Sequence, residues 1–312
     1  MADNDKNLRL IYMGTPEFAV PILEALVENG WPVVAVITAP DRPKGRGKKP
    51  GQSPVKEAAL RLNIPVLQPI NLKSPEFIDT LKTYGADLQV VVAFRMLPKV
   101  VWNMPALGTI NLHASLLPDY RGAAPINWAI INGEQETGLS TFFLQQEIDT
   151  GKIIFQEKIA ILPEDTAGSL SEKMMHRGAA LVLETLESIA SGNAQGQEQD
   201  DTKAKHTAPK IFKETGKIDW KKPANTIHNL VRGLSPYPAA WTEINGKTCK
   251  IYLTELISGS LPDKAPGEYQ TDGKNHLYFQ TGDGLLSIIE LQMEGKKRMR
   301  IAEFLRGNKL DR

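Results

Sequence analysis

Leu88-Gln89-Val90-Val91-Val92-Ala93-Phe94 is an apolar run with a single polar interruption. That is the pattern of a strand covered on both faces in a parallel sheet. Thr109-Ile110-Asn111-Leu112-His113-Ala114-Ser115 follows it, and residues 8–13 (LRLIYM) and 33–38 (VVAVIT) precede it with similar character. The intervening stretches carry helix signals. Residues 21–29 are stopped by Gly30, and further helices open at Ser53-Pro54 and at Ser74-Pro75-Glu76. Residues 65–68 read as a short strand, 126–131 as a helix, 140–145 and 152–161 as strands, and 168–191 as a longer helix. Alternation of this density predicts an α/β fold, an open Rossmann-like, mostly parallel sheet with right-handed crossovers. Ligands of such sheets bind beyond the carboxyl ends of the strands.

The pattern breaks at SGNAQGQEQDDTKAKHT (191–207), a polar, Gly-dotted stretch expected to be a linker. It separates a domain over 1–190 from one over 208–312. After a helical segment at 227–234, short β-rich runs alternate with turns, among them Asn245-Gly246, a strong hairpin signal. A small antiparallel β-barrel of the oligonucleotide-binding (OB-like) type is the expected second domain.

The whole chain of 312 residues has a net charge of +1, with 41% hydrophobic residues, which excludes disordered, collagen-like and coiled-coil classes. No apolar run approaches the roughly 18 to 20 residues of a membrane-spanning helix. The acidic, polar start MADNDKNLRL does not read as a secretory signal, and the lone Cys249 fits a reducing compartment. A cytoplasmic protein with no membrane association, working as a monomer, is expected. Charge is uneven: residues 1–202 hold 18 Lys+Arg against 24 Asp+Glu, net −6, and residues 203–312 hold 19 against 12, net +7. A basic half is either an unevenly charged surface or the face for a polyanion.

A dinucleotide site fails on the first turn, Gly14-Thr15-Pro16-Glu17, which lacks the glycine fingerprint. There is no Walker-type loop, no H-E-x-x-H and no Cys/His set with metal spacing, so no metal is expected. Asn111 and His113, two apart near a strand end, place their side chains on one face. Paired polar groups there need partners or a task, and an amide with an imidazole suits oxyanion stabilisation and proton movement. Asp149-Thr150-Gly151 lies 36 residues beyond His113. Its aspartate either shapes a turn or orients His113, and spacing alone does not choose. No Ser or Cys stands in a nucleophile motif, which favours direct transfer. Between Pro40 and Pro54, Arg42, Lys44, Arg46, Lys48 and Lys49 oppose one Asp41 on a glycine-rich loop. Such a loop is a solvated insertion or a phosphate-binding segment.

Asn111-x-His113 followed by SLLPDYRGAAP (115–125), with Asp149-Thr150-Gly151 downstream, resembles the site of the folate-dependent formyltransferases. MGTPEFAVP (13–21), PDRPKGRGKKPGQSPVK (40–56) and the basic C-terminal part resemble the branch of that family that formylates an aminoacyl-tRNA. The resemblance implies transfer of a formyl group from 10-formyltetrahydrofolate to the amino group of initiator methionyl-tRNA, by direct attack through a tetrahedral intermediate. It implies that Asn111, His113 and Asp149 are catalytic and that Ser115, Leu116, Leu117 and Pro118 line the folate site. It further implies that Arg42, Lys44, Arg46, Lys48 and Lys49 meet the tRNA. Ala93–Pro98 departs from the family pattern, with Arg95 where glycine is common. A nucleotide-sugar formyltransferase, a formyl-folate hydrolase and a non-catalytic RNA-binding protein are the other readings of these residues.

Overall fold

The computed structural model of the protein describes residues 7–44 and 49–310, and for residues 43, 44, 49 and 50 the backbone alone. The chain forms two compact units. The first comprises Met1–Arg121, Gly138–Ile159 and Ser171–Thr207, and the second Gly122–Thr137, Ala160–Leu170 and Ala208–Arg312. Two excursions from the first part, residues 122–137 and 160–170, therefore cluster with the second.

The first unit is built on seven strands: β1 (Leu10–Gly14), β2 (Val33–Ile37), β3 (Val66–Leu67), β4 (Leu88–Val92), β5 (Thr109–His113), β6 (Glu136–Phe143) and β7 (Ile153–Ala160). Their order is β7-β6-β5-β4-β1-β2-β3. The neighbours from β5 to β3 pair in parallel, while β6 runs antiparallel to β5 with Ser140 opposite His113. The α/β expectation holds. The direction of β6 is invisible to sequence, because alternation gives period and not orientation.

β1 and β4 are fully buried, as their continuous apolar character requires. Ile11, Met13, Ala35, Ile37, Phe77, Leu81, Val91 and Val101 form one core on the sheet. Helices α1 (Val20–Glu28), α2 (Pro54–Arg61), α3 (Pro75–Thr83) and α4 (Ala167–Ala190) begin where the sequence signals place them. Ser53 and Ser74 cap α2 and α3 by accepting the backbone N–H of Lys56 (3.1 Å) and Phe77 (3.3 Å). Gly14 ends β1 for lack of room: a Cβ there would lie 2.8 Å from the Ala19 Cβ. The first glycine of the chain serves backbone packing and not a pyrophosphate.

In the second unit, β8 (Ala240–Ile244), β9 (Lys247–Ile257), β10 (Tyr269–Thr271), β11 (Leu277–Gln280), β12 (Leu285–Met293) and β13 (Met299–Arg300) form an antiparallel sheet. Its order is β8-β9-β12-β11-β10, with β13 on β12, and it curls into a half-barrel. Asn245 and Gly246 join β8 to β9 with φ of +50° and +72°, both positive as a type I′ turn demands. The core includes Trp220 stacked on Phe279, ring centroids 4.2 Å apart, and the apolar face of α5 (Ala224–Leu234). Helix Pro125–Ile131 meets α5 closely: Asn127 Nδ2 donates to Gly233 O (2.7 Å), and a Cβ on Gly233 would lie 2.6 Å from Ile131 Cγ1. Buried Arg232 donates to the carbonyls of Leu162 and Asp165 (3.3 and 3.1 Å), fastening the 160–170 excursion. No helix among the described residues is long and apolar enough to cross a membrane.

Candidate active site

β5 delivers Asn111 and His113 to one face of the sheet, on an interior strand between β4 and β6. Asn111 is half-buried, and its amide has no hydrogen-bond partner among the described residues. An amide left open at a strand end is available to donate to a ligand that reaches it.

His113 is 7% exposed, and its Nε2 lies 2.9 Å from the carbonyl oxygen of Tyr120. A carbonyl only accepts, so Nε2 carries the hydrogen and the neutral ring presents its lone pair at Nδ1. The turn after β6 brings Asp149 Oδ2 to 3.8 Å from that Nδ1. This is wider than a hydrogen bond, and it sets the carboxylate facing the imidazole edge. The structure thus brings Asn111, His113 and Asp149 together. Of the two roles left open for the aspartate, it stands beside the histidine.

The surrounding loops hold uncommon backbone conformations. Ala93 after β4, Tyr120 after β5 and Asp149 after β6 have φ of +47°, +58° and +56°. Left-handed non-glycine residues cost energy and gather where a site is held in a set shape. Ser115–Pro118 follows His113 directly along the chain, and the bond between Leu117 and Pro118 is cis. Ser115 and Leu117 are buried, and the Ser115 hydroxyl donates to Asp119 O (2.6 Å). Those two side chains therefore shape the loop, while Leu116 and Pro118 are partly exposed. From β6, the Ser140 hydroxyl donates to Ser115 O (2.7 Å) and accepts from Leu117 N–H (3.1 Å) and Gln156 Nε2 (2.8 Å). Ser140 and Gln156 were not among the sequence candidates. Nothing in a buried serine on an apolar strand distinguishes it from an ordinary core hydroxyl.

The cationic loop has a fixed base. Thr38 and Ser53 hydroxyls meet at 2.7 Å, and Asp41 accepts from Lys56 Nζ (2.6 Å) and Gln68 Nε2 (2.8 Å). Those bonds, the Lys56 one first, hold the Asp41 carboxyl below the usual carboxylate range. With Asp41 so engaged, Arg42 is left exposed at the start of a small hairpin, Arg42–Lys44 with Lys49–Gly51. Arg46 and Lys48 lie outside the described residues, and of Lys44 and Lys49 only the backbone is described. Arg95 donates through Nη1 to Ile70 O (3.0 Å) and through Nη2 to Pro69 O. Partial burial and then the charge of Arg42 pull its guanidinium below the ordinary value. Met96 and Ile70 beside it are 73% and 86% exposed. Two guanidiniums and open apolar side chains thus lie close together.

In the second unit, Lys213 and Lys217 place Nζ 5.6 and 5.5 Å from the Trp241 ring centroid, and Lys210 lies 5.6 Å from that of Phe212. Among the described residues, no group of three or more His, Cys, Asp or Glu is arranged to hold a metal ion.

An α/β sheet with an amide and an imidazole on one interior strand, and a carboxylate beside the imidazole, offers the groups that acyl transfer uses. The Formyl transferase family model matches residues 6–186, and the model of the Formyl transferase C-terminal domain matches residues 210–309. The chain belongs to the formyl transferase family. It is 52% identical over 309 residues to a methionyl-tRNA formyltransferase of Bacteroides fragilis, covering 97% of this chain and 95% of that one. It is 48% identical to a methionyl-tRNA formyltransferase of Agathobacter rectalis, covering 96% of each. Among solved structures, HypX of Aquifex aeolicus in complex with tetrahydrofolic acid matches 97% of this chain and 48% of its own, with a TM-score of 0.66 at 19% identity. The sugar 3N-formyl transferase WlaRD matches 93% of this chain and 99% of its own, with a TM-score of 0.67 at 21% identity. At those identities the two structures bear on the fold.

Proposed function

We infer that this chain transfers the formyl group of 10-formyltetrahydrofolate to the free amino group of initiator methionyl-tRNA. The observation that carries the chemistry is the open Asn111 amide beside the His113–Asp149 pair. The acceptor follows from near-full-length similarity to methionyl-tRNA formyltransferases. The amide donates to the formyl oxygen as negative charge develops there, where a fixed donor does most. His113, with Nε2–H held on the Tyr120 carbonyl, takes the proton lost by the attacking amine at Nδ1 and returns it to the departing nitrogen. Asp149 stabilises the imidazolium in between. The new C–N bond at the amine forms first, and the donor's C–N bond breaks when the tetrahedral adduct collapses.

The donor set fits a reduced folate. That molecule combines a flat apolar body with an anionic tail, and the chain offers Met96, Ile70 and Phe94 beside Arg42 and Arg95. Leu116 and Pro118 complete the wall near the formyl position, on a loop whose shape Ser115 and Leu117 maintain. When bound, the folate supplies the formyl carbon.

Arg42, Lys44, Arg46, Lys48 and Lys49 meet phosphates near the acceptor end of the tRNA. Lys210, Lys213 and Lys217, carried on Phe212 and Trp241, give the net +7 part of the chain a second cationic face for RNA. On this reading residues 1–190 are the catalytic part and 208–312 the basic tRNA-binding part, and a monomer in the cytoplasm, where translation begins, suffices. The test is single-turnover formylation with labelled donor. Asn111→Ala should slow transfer roughly 10²- to 10³-fold, with the affinity for formyl-folate little changed. A folded Asn111→Ala with the wild-type rate contradicts the oxyanion assignment.

A further inference from the structure

Two segments far apart in sequence converge on one glutamine. Gln199 Nε2 donates to the carbonyl oxygens of Asp149 and Gly151, both at 2.8 Å. Its Oε1 accepts from Arg121 Nε (3.0 Å) and Nη2 (2.6 Å). The same Arg121 Nη2 reaches Asp201 Oδ1 at 2.7 Å. A few residues on, Asp119 Oδ1 accepts from the backbone N–H of Lys205 (3.1 Å) and of His206 (2.6 Å). Tyr120 N–H donates to His206 O at 2.9 Å. Tyr120 is the residue whose carbonyl holds His113. Segment 197–206, which composition marks as a spacer, is therefore bonded to the backbone on both sides of the histidine–aspartate pair.

Asp149 sits in a left-handed conformation, φ +56°, which a non-glycine residue keeps only when its surroundings impose it. Two charge-free N–H donors from one planar amide, given to the carbonyls at 149 and 151, impose it. The amide cannot rotate away, because its oxygen is gripped by the Arg121 fork. The nearby Gly151 cannot shift toward the strand either: a Cβ there would lie 1.6 Å from Phe143 O, so its backbone is already packed against that strand.

We propose that Gln199, locked by Arg121, is a positioning residue for the transfer: it holds the Asp149 turn so that the carboxylate faces His113 Nδ1. This deepens the reading of Asp149 as part of the proton relay and rests on it. Gln199 touches no reacting atom. Its effect passes wholly through Asp149, so the two should be energetically coupled.

Gln199→Glu is the informative change, because it keeps the acceptor for Arg121 and removes both donors to the turn. Gln199→Met removes all four bonds. Each variant is made in the wild-type and Asp149→Asn backgrounds, and the full-length protein is assayed by single-turnover formyl transfer and by KM for both substrates. Displacing a catalytic group by about 1 Å costs on the order of 100-fold. The expected result is a rate loss of about 10- to 100-fold from either variant, with both KM values within about twofold. In the Asp149→Asn background the same change should cost less than about twofold. An unchanged rate in Gln199→Glu, or an equal loss in both backgrounds, overturns the proposal. Unfolding of both variants overturns it too, by assigning the glutamine to stability alone. If Asp149→Asn by itself transfers at the wild-type rate, the relay reading of Asp149 is at fault and this inference falls with it.

Discussion

Asn111 and His113 were legible because a strand repeats every two residues, so the motif N-x-H on an apolar strand states their common face without any tertiary information. Asp149 was legible only as one of two alternatives, since its approach to His113 depends on how the turn after β6 folds back. Ser140, Gln156 and the Tyr120 carbonyl left no signal, because a buried serine and a backbone oxygen carry none. Cys249 shows the same contrast. The sequence marks it as unpaired, and the structure buries it completely on β9. Burial pushes its thiol up to about 12 from an ordinary value near 9. The folded state then binds the thiol proton more tightly than the unfolded one. The resulting stabilisation is complete below pH 9 and is lost as pH rises from there toward 12. Native protein at about pH 8 should resist a thiol reagent for hours, while unfolded chain reacts within minutes. Rapid labelling of the native protein would place the thiol at the surface.

At the scale of elements, the helix starts followed their caps, and Ser53 and Ser74 performed the role that Ser-Pro predicts. Segment 191–207 is the instructive case. Its lack of aromatic and β-branched apolar residues predicts a spacer, and Gln199 and Asp119 bind partners 48 to 87 residues away. Single hydrogen bonds at such separations have no period and no composition. The loop between Pro40 and Pro54 was legible by charge, while its hairpin was hidden by glycines and lysines that are poor strand formers. Its anchored base, Thr38 to Ser53 and Asp41 to Lys56, engages the one carboxylate of the loop and leaves Arg42 exposed. Neutralising Lys44, Arg46, Lys48 and Lys49 together should therefore weaken tRNA binding. The slope of log affinity against log salt should fall by up to ~0.9 for each duplex phosphate that the variant no longer neutralises. Affinity for a folate analogue should not move. A salt titration of the fourfold variant checks this, and an unchanged slope would return the loop to a solvated insertion.

Across the whole molecule, Asn111, His113 and Asp149 all lie in one of the two units, and the basic excess of the chain, net +7, falls on residues 203–312. The sequence showed a boundary through composition and charge. It did not show that residues 122–137 and 160–170 cluster with the C-terminal part, since that depends on side chains such as Arg232 and Asn127 meeting backbone from distant segments. The fold is shared with sugar formyltransferases, so the sheet does not fix the acceptor, and on the proposed reading the basic residues are what favour a polyanionic one. The decisive measurement is a competition. The protein, with 10-formyltetrahydrofolate, is offered initiator methionyl-tRNA and a nucleotide-linked amino sugar together, and kcat/KM is determined for each acceptor from its formylated product. Formyl-methionyl-tRNA as the product, with the sugar left unmodified, is the predicted result. Formylation of the sugar in preference to the tRNA, or release of free formate with neither acceptor modified, would contradict it.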